Sequence, residues 1–274
     1  MKANWYKTVS VIIPTWNRAS YLGAAITSVL EQTYPVHEIL VCDDESTDDS
    51  EAVVRSFNDP RVTWLPGPRA GRPAVPRNRG LAASKGEWIA FLDSDDQWVA
   101  EKLERQLESL HRLNCSAACS NALRISPSGQ QAGQVVSWTK TRIAFNDLLK
   151  TNQVVCSSVL IHRSLLAHVS GFPEQQHLTA CEDYALWLRV STQTDFAFVP
   201  HALVLYNDDP EVSVRNSNPD AAAIKRDVLN DFISWVTASR QPEEFARRAQ
   251  GALSLSSVAR VRARVKRALA GWAK

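Results

Sequence analysis

The sequence lacks the features of a membrane-spanning or secreted protein. No run of apolar residues approaches the length of about eighteen that indicates a transmembrane helix, and Met1–Lys7 has no apolar segment typical of a secretory leader. The five cysteines are scattered, odd in number and set among apolar or small residues. We therefore expect a cytoplasmic protein with reduced core thiols and with neither a span nor a leader.

Two kinds of ligand-binding motif are also missing. No G-x-G-x-x-G follows the first predicted strand and no Walker loop occurs, which argues against dehydrogenases and P-loop enzymes. Cys115 and Cys119 have the spacing of a zinc-ligand pair, but no second pair of Cys or His accompanies them. We therefore do not expect structural zinc.

What is present is an ordinary globular composition with one unusual end. The chain has 274 residues, of which 45% are apolar and 22% charged, enough for one large α/β domain or two small ones. The last thirty residues carry eight Lys and Arg and no acid, so the other 244 carry 23 basic and 29 acidic residues. This asymmetry argues against a general nucleic-acid binder and indicates a local role for the C-terminus.

The C-terminus has the pattern of a basic amphipathic helix. Its apolar stripe comprises Val258, Val261, Val265, Leu269 and Trp272, and the opposite face carries Arg260, Arg264 and Arg267. Such a helix can dock on an anionic membrane surface. It can equally pack its stripe on the body of the protein or on a second subunit, and the pattern leaves these alternatives open.

Strands alternate with helices in the first part of the chain. The pattern predicts strands at 8–14, 37–42, 61–65 and 89–92, separated by helices at 18–32, 50–57 and 73–85. This order predicts a parallel, doubly wound sheet whose ligands lie outside the carboxyl ends of the strands. The second half is predicted to be mixed α+β, with helices at 99–113 and 178–190 and strands at 116–125, 134–138, 154–162 and 196–206.

Acidic residues follow two of the predicted strands. The second strand ends on the acid-rich segment 43–49, and the fourth ends on Asp93, Asp95 and Asp96. Three carboxylates within four residues repel one another unless a positive group lies among them, and a divalent cation with oxygen ligands is the usual partner. The alternative is a solvated turn in which Asp96 caps a helix that begins near Trp98.

A further acidic pair, Glu182–Asp183, lies near the start of the helix predicted at 178–190. The helix dipole favours negative charge at that end, so N-terminal capping explains the pair on spacing alone. A catalytic role is the alternative, and it needs support from the surrounding sequence.

These motifs together resemble the family-2 glycosyltransferases, which have the nucleotide-diphospho-sugar (GT-A) fold. The resemblance spans roughly residues 8–213, and each of its segments is a weak signal that becomes specific in this order and spacing. The segments are Val-Ser-Val-Ile-Ile-Pro-Thr-Trp-Asn-Arg (9–18), Val-Cys-Asp-Asp-Glu-Ser-Thr-Asp (41–48), Pro-Arg-Asn-Arg-Gly (76–80), Gly-Glu-Trp-Ile-Ala-Phe-Leu-Asp-Ser-Asp-Asp (86–96), Gly-Phe-Pro-Glu (171–174) and Glu-Asp-Tyr-Ala-Leu-Trp-Leu-Arg (182–189). The resemblance implies a GT-A-type, mainly parallel sheet with a mixed α+β acceptor-side half and a C-terminal helical tail.

The resemblance implies a nucleotide site at the ends of the first two strands. Pro14, Thr15 and Asp44 match positions that hold the base and ribose, and Trp16 would stack on the base. A carboxylate can accept the imide N–H of uracil or thymine, so a UDP- or dTDP-sugar is the expected donor. Arg77 would contact the diphosphate or brace the acidic loop.

The resemblance also implies a metal site and a catalytic base. Asp93 would lie toward the ribose, and Asp95 of the Asp-x-Asp motif would bind Mg²⁺ or Mn²⁺ between the phosphates, where the cation neutralises the leaving nucleoside diphosphate. Asp183, supported by Glu182, would take the proton of the acceptor hydroxyl in a single inverting displacement.

One position departs from the family pattern. After the last strand many relatives have an aromatic residue, then Arg and, two residues further on, His, whereas this chain has Tyr206-Asn207-Asp208-Asp209. Asp209 lies where the His would be, and its carboxylate can bind a hard cation, so we expect it to substitute. A simple Asp-Pro turn is the alternative.

The expected protein is an inverting, metal-dependent glycosyltransferase of the hexosyltransferase type that builds a bacterial surface polysaccharide or glycolipid. Its acceptor would be a glycan or a lipid-linked glycan, and it would work in the cytoplasm or at the inner face of the membrane, without a nucleic-acid partner and with homo-oligomer formation left open. The expected divisions are 1–97 for nucleotide-sugar binding, 98–213 for the acceptor-side and catalytic half of the same domain, and 214–274 for a helical extension.

Two rival functions remain at this stage. A sugar nucleotidyltransferase would need a Gly-rich, basic loop after the first strand, and residues 14–18 do not form one. A catalytically weakened nucleotide-sugar-binding protein is favoured only by the missing Arg and His, whereas the intact Asp93, Asp95 and Asp183 argue against it.

Overall fold

The computed structural model describes residues 7–137, 140–209 and 220–255. The strands within these residues are β1 Val9–Thr15, β2 Glu38–Asp43, β3 Val62–Leu65, β4 Trp88–Phe91, β5 Gln97–Trp98, β6 Ala117–Ile125, β7 Gln131–Gln134, β8 Arg142–Ile143, β9 Leu160–His162 and β10 Phe196–Asn207. The helices are α1 Ala19–Leu30, α2 Ser50–Ser56, α3 Ala74–Ala83, α4 Lys102–Leu113, α5 Phe145–Leu148, α6 Arg163–His168, α7 Glu182–Val190 and α8 Ala221–Ala238. Short 3-10 turns occupy Cys156–Ser158 and Gln176–Leu178, and residues 243–255 are helical.

All of the strands listed above belong to one sheet, in which β3, β2, β1 and β4 are parallel neighbours in that order. β9 joins β4 to β6 through antiparallel pairing on both sides, and β10 then runs parallel to β6. The short strands β5, β7 and β8 add antiparallel pairs at the far side. The predicted α/β class, with a parallel first part and a mixed second half, is confirmed.

The sheet lies between two apolar cores because neighbouring residues of its strands point to opposite faces. In β1, Val11 and Ile13 pack with α1, α2 and α4, whereas Ile12 belongs to the core under α3, α7 and α8. The continuous apolar runs predicted as buried strands thus have a physical cause. All five cysteines are buried free thiols, as expected for core residues.

Helix α3 lies close against the sheet because Gly80 has no side chain. A Cβ at this position would come within 2.7 Å of Ile12 Cγ2 and of Cys42 Sγ. This contact brings the start of α3, with Arg77, to the carboxyl ends of the parallel strands. Asn78 on the same helix accepts a hydrogen bond from the Phe172 N–H and donates one to the Phe172 carbonyl, both at 2.9 Å.

The structure corrects several predicted elements. The strand predicted at 154–162 is wrong over its first part, since Cys156–Ser158 is a 3-10 turn and only Leu160–His162 pairs as a strand. The second strand of the predicted hairpin lies at Gln131–Gln134 rather than 134–138, with Trp138 outside the described residues. The helix predicted at 178–190 begins only at Glu182.

The proposed capping role of Asp96 is also wrong. Helix α4 begins at Lys102, after Glu101, and the Asp96 carboxylate instead accepts hydrogen bonds from Ser157 and Asn207. The predicted basic helix at 258–272 lies outside the described residues. Within the described ranges, no helix is long and apolar enough to cross a membrane.

Candidate active site

The ends of β1, β2 and β4 open into one pocket of about 540 Å³. This confirms that the acidic and polar strand ends converge. Every residue assigned a role from the sequence lines the pocket: Pro14, Thr15, Trp16, Asp44, Arg77, Asp93, Asp95, Glu182, Asp183 and Asp209. Asp95 and Glu182 are more than eighty residues apart in the sequence, yet the acidic loop and the Glu182–Asp183 pair line the same pocket.

The turns after β1 and β2 are joined by hydrogen bonds beside the pocket. Asn17 adopts a left-handed conformation, with φ of 51°, which asparagine tolerates better than most residues. Its backbone N–H donates to Ser46 Oγ at 2.8 Å, and its Oδ1 accepts from the Thr47 N–H at 2.8 Å. The tight turn leaves Trp16 at the pocket mouth with 43% of its surface exposed.

The loop that precedes α3 provides the hydrogen-bond donors to the Asp44 carboxylate. It accepts hydrogen bonds from the backbone N–H groups of Ala70 at 2.8 Å and Gly71 at 2.9 Å, and it forms an ion pair with Arg69. Gly71 has a φ of +68°, a conformation that favours glycine. The guanidinium carbon of Arg69 also lies 3.7 Å from the ring centroid of Trp16.

Arg77 connects the two acidic regions of the pocket. One guanidinium nitrogen donates to Glu182 Oε1 at 2.7 Å and another donates to Asp93 Oδ1 at 2.6 Å. The Arg77 and Glu182 side chains are only 5% and 6% exposed, so their pairing compensates charges that water reaches poorly. Arg77 thus contacts the acidic loop through Asp93, and its predicted contact with a diphosphate stays a prediction.

The buried hydroxyl of Ser157 supports the acidic loop that contains Asp93, Asp95 and Asp96. Ser157 Oγ accepts a hydrogen bond from the Asp93 N–H at 3.0 Å and donates one to Asp96 Oδ2 at 2.5 Å. The other Asp96 oxygen accepts from the Asn207 N–H at 2.9 Å, at the end of β10. Burial, reinforced by Asp93 and Asp95, raises the pKa of Asp96 well above its usual range. The loop is thus tied to two other segments of the site.

Asp95 faces the pocket and has the electrostatic character of a cation ligand. Burial and the neighbouring Asp93 raise the pKa of Asp95, while Arg18, whose Nε lies 3.9 Å from Asp95 Oδ2, opposes the shift. A divalent cation would relieve this crowding of negative charge. The neighbouring carboxylates of Asp93 and Asp95 offer the oxygen ligands that Mg²⁺ and Mn²⁺ prefer.

The metal would not be enclosed by protein side chains alone. In the described part of the chain, no three Asp, Glu, His or Cys side chains come together in a group able to hold a metal ion. Sites for Mg²⁺ commonly use one or two carboxylates and complete the shell with substrate phosphates and water. Asp209 lines the same pocket, and its role as an additional oxygen ligand stays a prediction.

The start of α7 is positioned by residues outside the helix. Gly171 has a φ of +67°, and a Cβ there would lie 2.7 Å from Asn78 Oδ1. The adjoining turn leads to Glu182, which Arg77 holds, and to Asp183, whose Oδ1 accepts from the Tyr184 N–H at 2.6 Å. This support places both carboxylates of the pair on the pocket wall.

Three residues that line the pocket or support its acidic loop could not be assigned from sequence patterns. Arg69 lies in a loop rich in Pro and Gly, a composition that predicts a turn or connection. Such a composition does not indicate where an arginine side chain in the loop will lie. Arg18 closes the first motif and could have been noticed as a cation beside the acidic loop. Ser157 stood inside a β-branched run that favoured a strand, so its contact with Asp96 was missed.

Comparison with known proteins identifies the class. Residues 10–169 match the sequence profile described as "Glycosyl transferase family 2", which is more than half of the chain. Together with the mixed sheet and the pocket at its strand ends, this match shows that the chain belongs to family 2 of the glycosyltransferases and has the GT-A fold.

Curated relatives support the same assignment. Over 227 residues the chain is 36% identical to the UDP-Glc:alpha-D-GlcNAc-diphosphoundecaprenol beta-1,3-glucosyltransferase WfgD of Escherichia coli, an alignment that covers 82% of this chain and 86% of the relative. It is 29% identical to the putative teichuronic acid biosynthesis glycosyltransferase TuaG of Bacillus subtilis, which aligns over 68% of this chain and 72% of the relative.

Solved structures show the same fold. The crystal structure of S. aureus TarS residues 1–349 in complex with UDP-GlcNAc matches with a TM-score of 0.70 and 19% identity, over 90% of this chain and 70% of that one. The corresponding UDP complex matches with a TM-score of 0.68 and 20% identity, over 90% and 69%. At this level of identity the likeness concerns the fold.

Proposed function

We propose that this protein transfers a sugar from a UDP- or dTDP-sugar to an acceptor hydroxyl, with inversion at the sugar and with Mg²⁺ or Mn²⁺ as cofactor. The observation that carries the proposal is the single pocket that gathers Trp16 and Asp44 at one end and Glu182–Asp183 on another wall. Asp93 and Asp95 lie among the same lining residues. A nucleotide sugar and an acceptor could therefore meet within one space.

The donor end of the pocket would recognise a pyrimidine nucleotide. A base would stack on the Trp16 ring and present an imide N–H to the Asp44 carboxylate, two groups that Arg69 contacts in this structure. Thr15, which lines the same end of the pocket, would also contact the nucleoside. Asp93 would contact the ribose, with its carboxylate steadied by Arg77.

The acceptor end would supply the general base. Asp183 would take the proton of the attacking hydroxyl as the new bond to the anomeric carbon forms and the bond to the diphosphate oxygen breaks. Glu182 would support it, since Arg77 fixes one Glu182 oxygen while Glu182 Oε2 has no hydrogen-bond partner. The nucleoside diphosphate leaves with the electron pair of the broken bond.

A divalent cation, when bound by Asp95 and Asp209, would neutralise charge on the departing diphosphate. The hydrogen bonds of Ser157 with Asp93 and Asp96 would fix the acidic loop and thereby the position of the Asp95 carboxylate. The same contacts link the loop to Asn207, two residues before Asp209. Both expected ligands would therefore be held by one hydrogen-bonded network.

The names of the relatives suggest the substrates to test first. WfgD is named as a glucosyltransferase that uses UDP-Glc and a GlcNAc-diphosphoundecaprenol acceptor, and TuaG is named for teichuronic acid biosynthesis. We therefore propose a role in bacterial surface polysaccharide or glycolipid synthesis, with UDP-glucose as the first donor candidate and a lipid-linked sugar as the first acceptor candidate. The reaction would take place on the cytoplasmic side of the membrane.

A lipid-linked acceptor would require contact with a membrane surface. Four cationic side chains, which we call the basic patch, surround α5: Lys140, Lys150, Lys225 and Arg248. Lys140 pairs with Asp147 at 2.8 Å, Lys225 donates to the Lys150 carbonyl at 3.0 Å, and the Arg248 guanidinium lies 5.4 Å from the Phe145 ring. α5 is joined to the active site because the Tyr184 hydroxyl donates to the Leu148 carbonyl at 2.5 Å. Anionic lipid would attract this patch and the basic residues at 258–272 alike.

The proposed function is tested first by titrating the purified protein with UDP and dTDP, with and without Mn²⁺, alongside an Asp95→Ala variant. Binding that requires both the metal and Asp95 would support the donor site. Product formation from UDP-glucose, followed by NMR of the anomeric carbon, then tests inversion: an α-linked donor should yield a β-linked product.

The role of Asp183 is tested in the same assay. An Asp183→Asn variant should bind UDP as the wild type does while its turnover falls about 10²- to 10⁴-fold, the usual contribution of general-base catalysis. No binding of either nucleotide under any metal condition would overturn the proposed donor site. Full turnover by the Asn variant would overturn the assignment of the base.

A further inference from the structure

We propose that Arg69 competes with the nucleobase for the face of Trp16 and for Asp44, so that a donor nucleotide must displace this arginine and its affinity is set by that competition. The inference rests on the proposed function, because it takes the Trp16–Asp44 end of the pocket as the place where the base binds. It adds a residue that controls donor affinity and a movement that donor binding requires.

The geometry places a flat cation where a flat base would lie. The guanidinium carbon of Arg69 is 3.7 Å from the centroid of the Trp16 ring, the separation of two groups in van der Waals contact. A stacked pyrimidine needs the same layer above the same indole face. Arg69 and the base therefore exclude each other at this position.

The hydrogen bonding shows the same overlap. Arg69 Nη1 donates to Asp44 Oδ2, an oxygen that also accepts from the Gly71 N–H. A base that stacked on Trp16 and presented its imide N–H to Asp44 would need the place that the guanidinium holds between these two residues. The arginine thus occupies both contacts that the proposed function assigns to the base.

Arg69 can leave without exposing an uncompensated buried charge. The Asp44 side chain is 5% exposed, but it retains backbone donors from Ala70 at 2.8 Å and Gly71 at 2.9 Å when the guanidinium moves. Hydrogen bonds from backbone N–H groups stabilise a carboxylate strongly. The Arg69 side chain is itself 36% exposed, so its charge can return to water at low cost.

The chemistry of the displaced contact favours certain bases. Uracil and thymine present an imide N–H that replaces the arginine as a donor to Asp44, whereas cytosine presents an unprotonated ring nitrogen at that position. A cytosine nucleotide would remove the Arg69 donor and set an acceptor against a carboxylate. Displacement of Arg69 costs the same free energy for either base, so the competition lowers the affinity for both, and the preference for imide bases comes from their own contact with Asp44.

Uridine is the probe that isolates this competition, because it lacks the phosphates with which a displaced arginine could interact. Its affinity is measured by calorimetry for the wild type, for Arg69→Ala and for Arg55→Ala, an exposed arginine on α2 outside the pocket. We expect Arg69→Ala to bind uridine about three- to tenfold more tightly, the range that a lost competing cation–π contact implies. Arg55→Ala should match the wild type, and unchanged circular dichroism should confirm that both variants are folded.

A second measurement follows Trp16 directly. The fluorescence change on adding uridine, taken as the difference between Trp16-containing protein and a Trp16→Phe variant, should appear at lower uridine concentration in Arg69→Ala. Detectable uridine binding in the Ala variant alone would also support the proposal. Equal or weaker binding of uridine by Arg69→Ala would overturn it.

The outcomes separate this inference from the proposed function. If Arg69→Ala binds uridine more weakly while UDP binding still requires Mn²⁺ and Asp95, the arginine assists the base, and only the competition is overturned. If neither protein binds uridine or UDP under any metal condition, the donor site fails, and the competition fails with it.

Discussion

Two arginines of the pocket form ion pairs with acidic partners, and they differ in almost every respect that decides whether such a pair can open. Arg77 is 5% exposed and bridges two carboxylates, Asp93 and Glu182, through separate nitrogens. Arg69 is 36% exposed and pairs with Asp44, which keeps two backbone donors of its own. One arginine is part of the framework, and the other covers a surface that a ligand could use.

The difference shows how the same side chain can serve stability or ligand exchange. The buried Arg77 guanidinium cannot move without leaving the equally buried Glu182 carboxylate uncompensated. A half-exposed guanidinium over an aromatic ring can be replaced by any flat group that restores the stacking and the donor. The surroundings of each arginine, rather than the length of its ion-pair contacts, decide between these roles.

Removing Arg77 should have the largest effect on stability. Arg77→Met leaves Asp93 and Glu182 close together and uncompensated, so we expect a loss of about 3–5 kcal/mol in the free energy of unfolding, measured by urea denaturation. The double variant Arg77→Met/Glu182→Gln should recover part of this loss because one uncompensated charge is removed. A loss below about 1 kcal/mol, typical of an exposed pair, would contradict the framework role.

Removing the hydroxyl of Ser157 should have an intermediate effect. Ser157→Ala leaves the Asp93 N–H and one Asp96 oxygen without their partner, and we expect a loss of about 1–3 kcal/mol together with weaker metal-dependent binding of UDP. Ser234→Ala on the exposed surface of α8 is the matched control and should lie within about 0.5 kcal/mol of the wild type. Similar losses in the two variants would show that the acidic loop does not depend on this hydroxyl.

Removing Arg69 should barely change stability. Since the pair with Asp44 is partly exposed and Asp44 keeps its backbone donors, Arg69→Ala should cost about 0–1 kcal/mol in the free energy of unfolding, and less at high salt. Urea denaturation at low and high ionic strength measures both quantities. A loss comparable to that of Arg77→Met would remove the distinction between the two arginines.

Reversing charge in the basic patch should leave both arginine sites unaffected. In Lys140→Glu/Lys150→Glu we expect unchanged affinity for UDP but weaker binding to vesicles containing anionic lipid, by about 1 kcal/mol or more for each lysine near the surface. Cosedimentation with anionic and neutral vesicles measures the effect. The control Lys85→Glu/Arg112→Glu alters two exposed cations outside the patch, and an equal loss in both double variants would contradict a localised docking surface.

The sequence was informative where local pattern and tertiary structure agree. The runs in β1, β2 and β4 are mostly apolar because both faces of each strand are buried, so their positions were predicted to within a residue or two. The acids that follow them had to lie at the carboxyl edge of a parallel sheet. Convergence of Asp44, Asp93 and Asp95 was therefore predictable from the strand order alone.

The pattern failed where tertiary contacts override local preference. Residues 154–159 are mostly β-branched or small and favour a strand, yet Trp98 Nε1 donates to the Ser157 carbonyl and Gln106 Nε2 donates to the Ser158 carbonyl, each at 2.7 Å. These bonds from other elements hold the segment as a turn. No periodicity within the segment itself records them.

The position of Arg69 was equally inaccessible from sequence. Its contact with Trp16 depends on the path of the loop 66–73, which is set by the φ of Gly71 and by the hydrogen bonds of Asp44. The family pattern identified the two residues that the arginine covers, but it contained nothing about the arginine. The role of a charged residue in a connecting loop can be assigned only when the path of the loop is known.

The continuous sheet limits how the protein can respond to its substrates. β9 is hydrogen-bonded to β4 on one side and to β6 on the other, so the donor and acceptor walls are parts of one ladder of strands. A hinge between the walls would break these backbone bonds, and rotation of two rigid bodies around the substrate is therefore disfavoured. Donor binding should then bury little surface beyond the nucleotide itself, and its heat-capacity change should be correspondingly small.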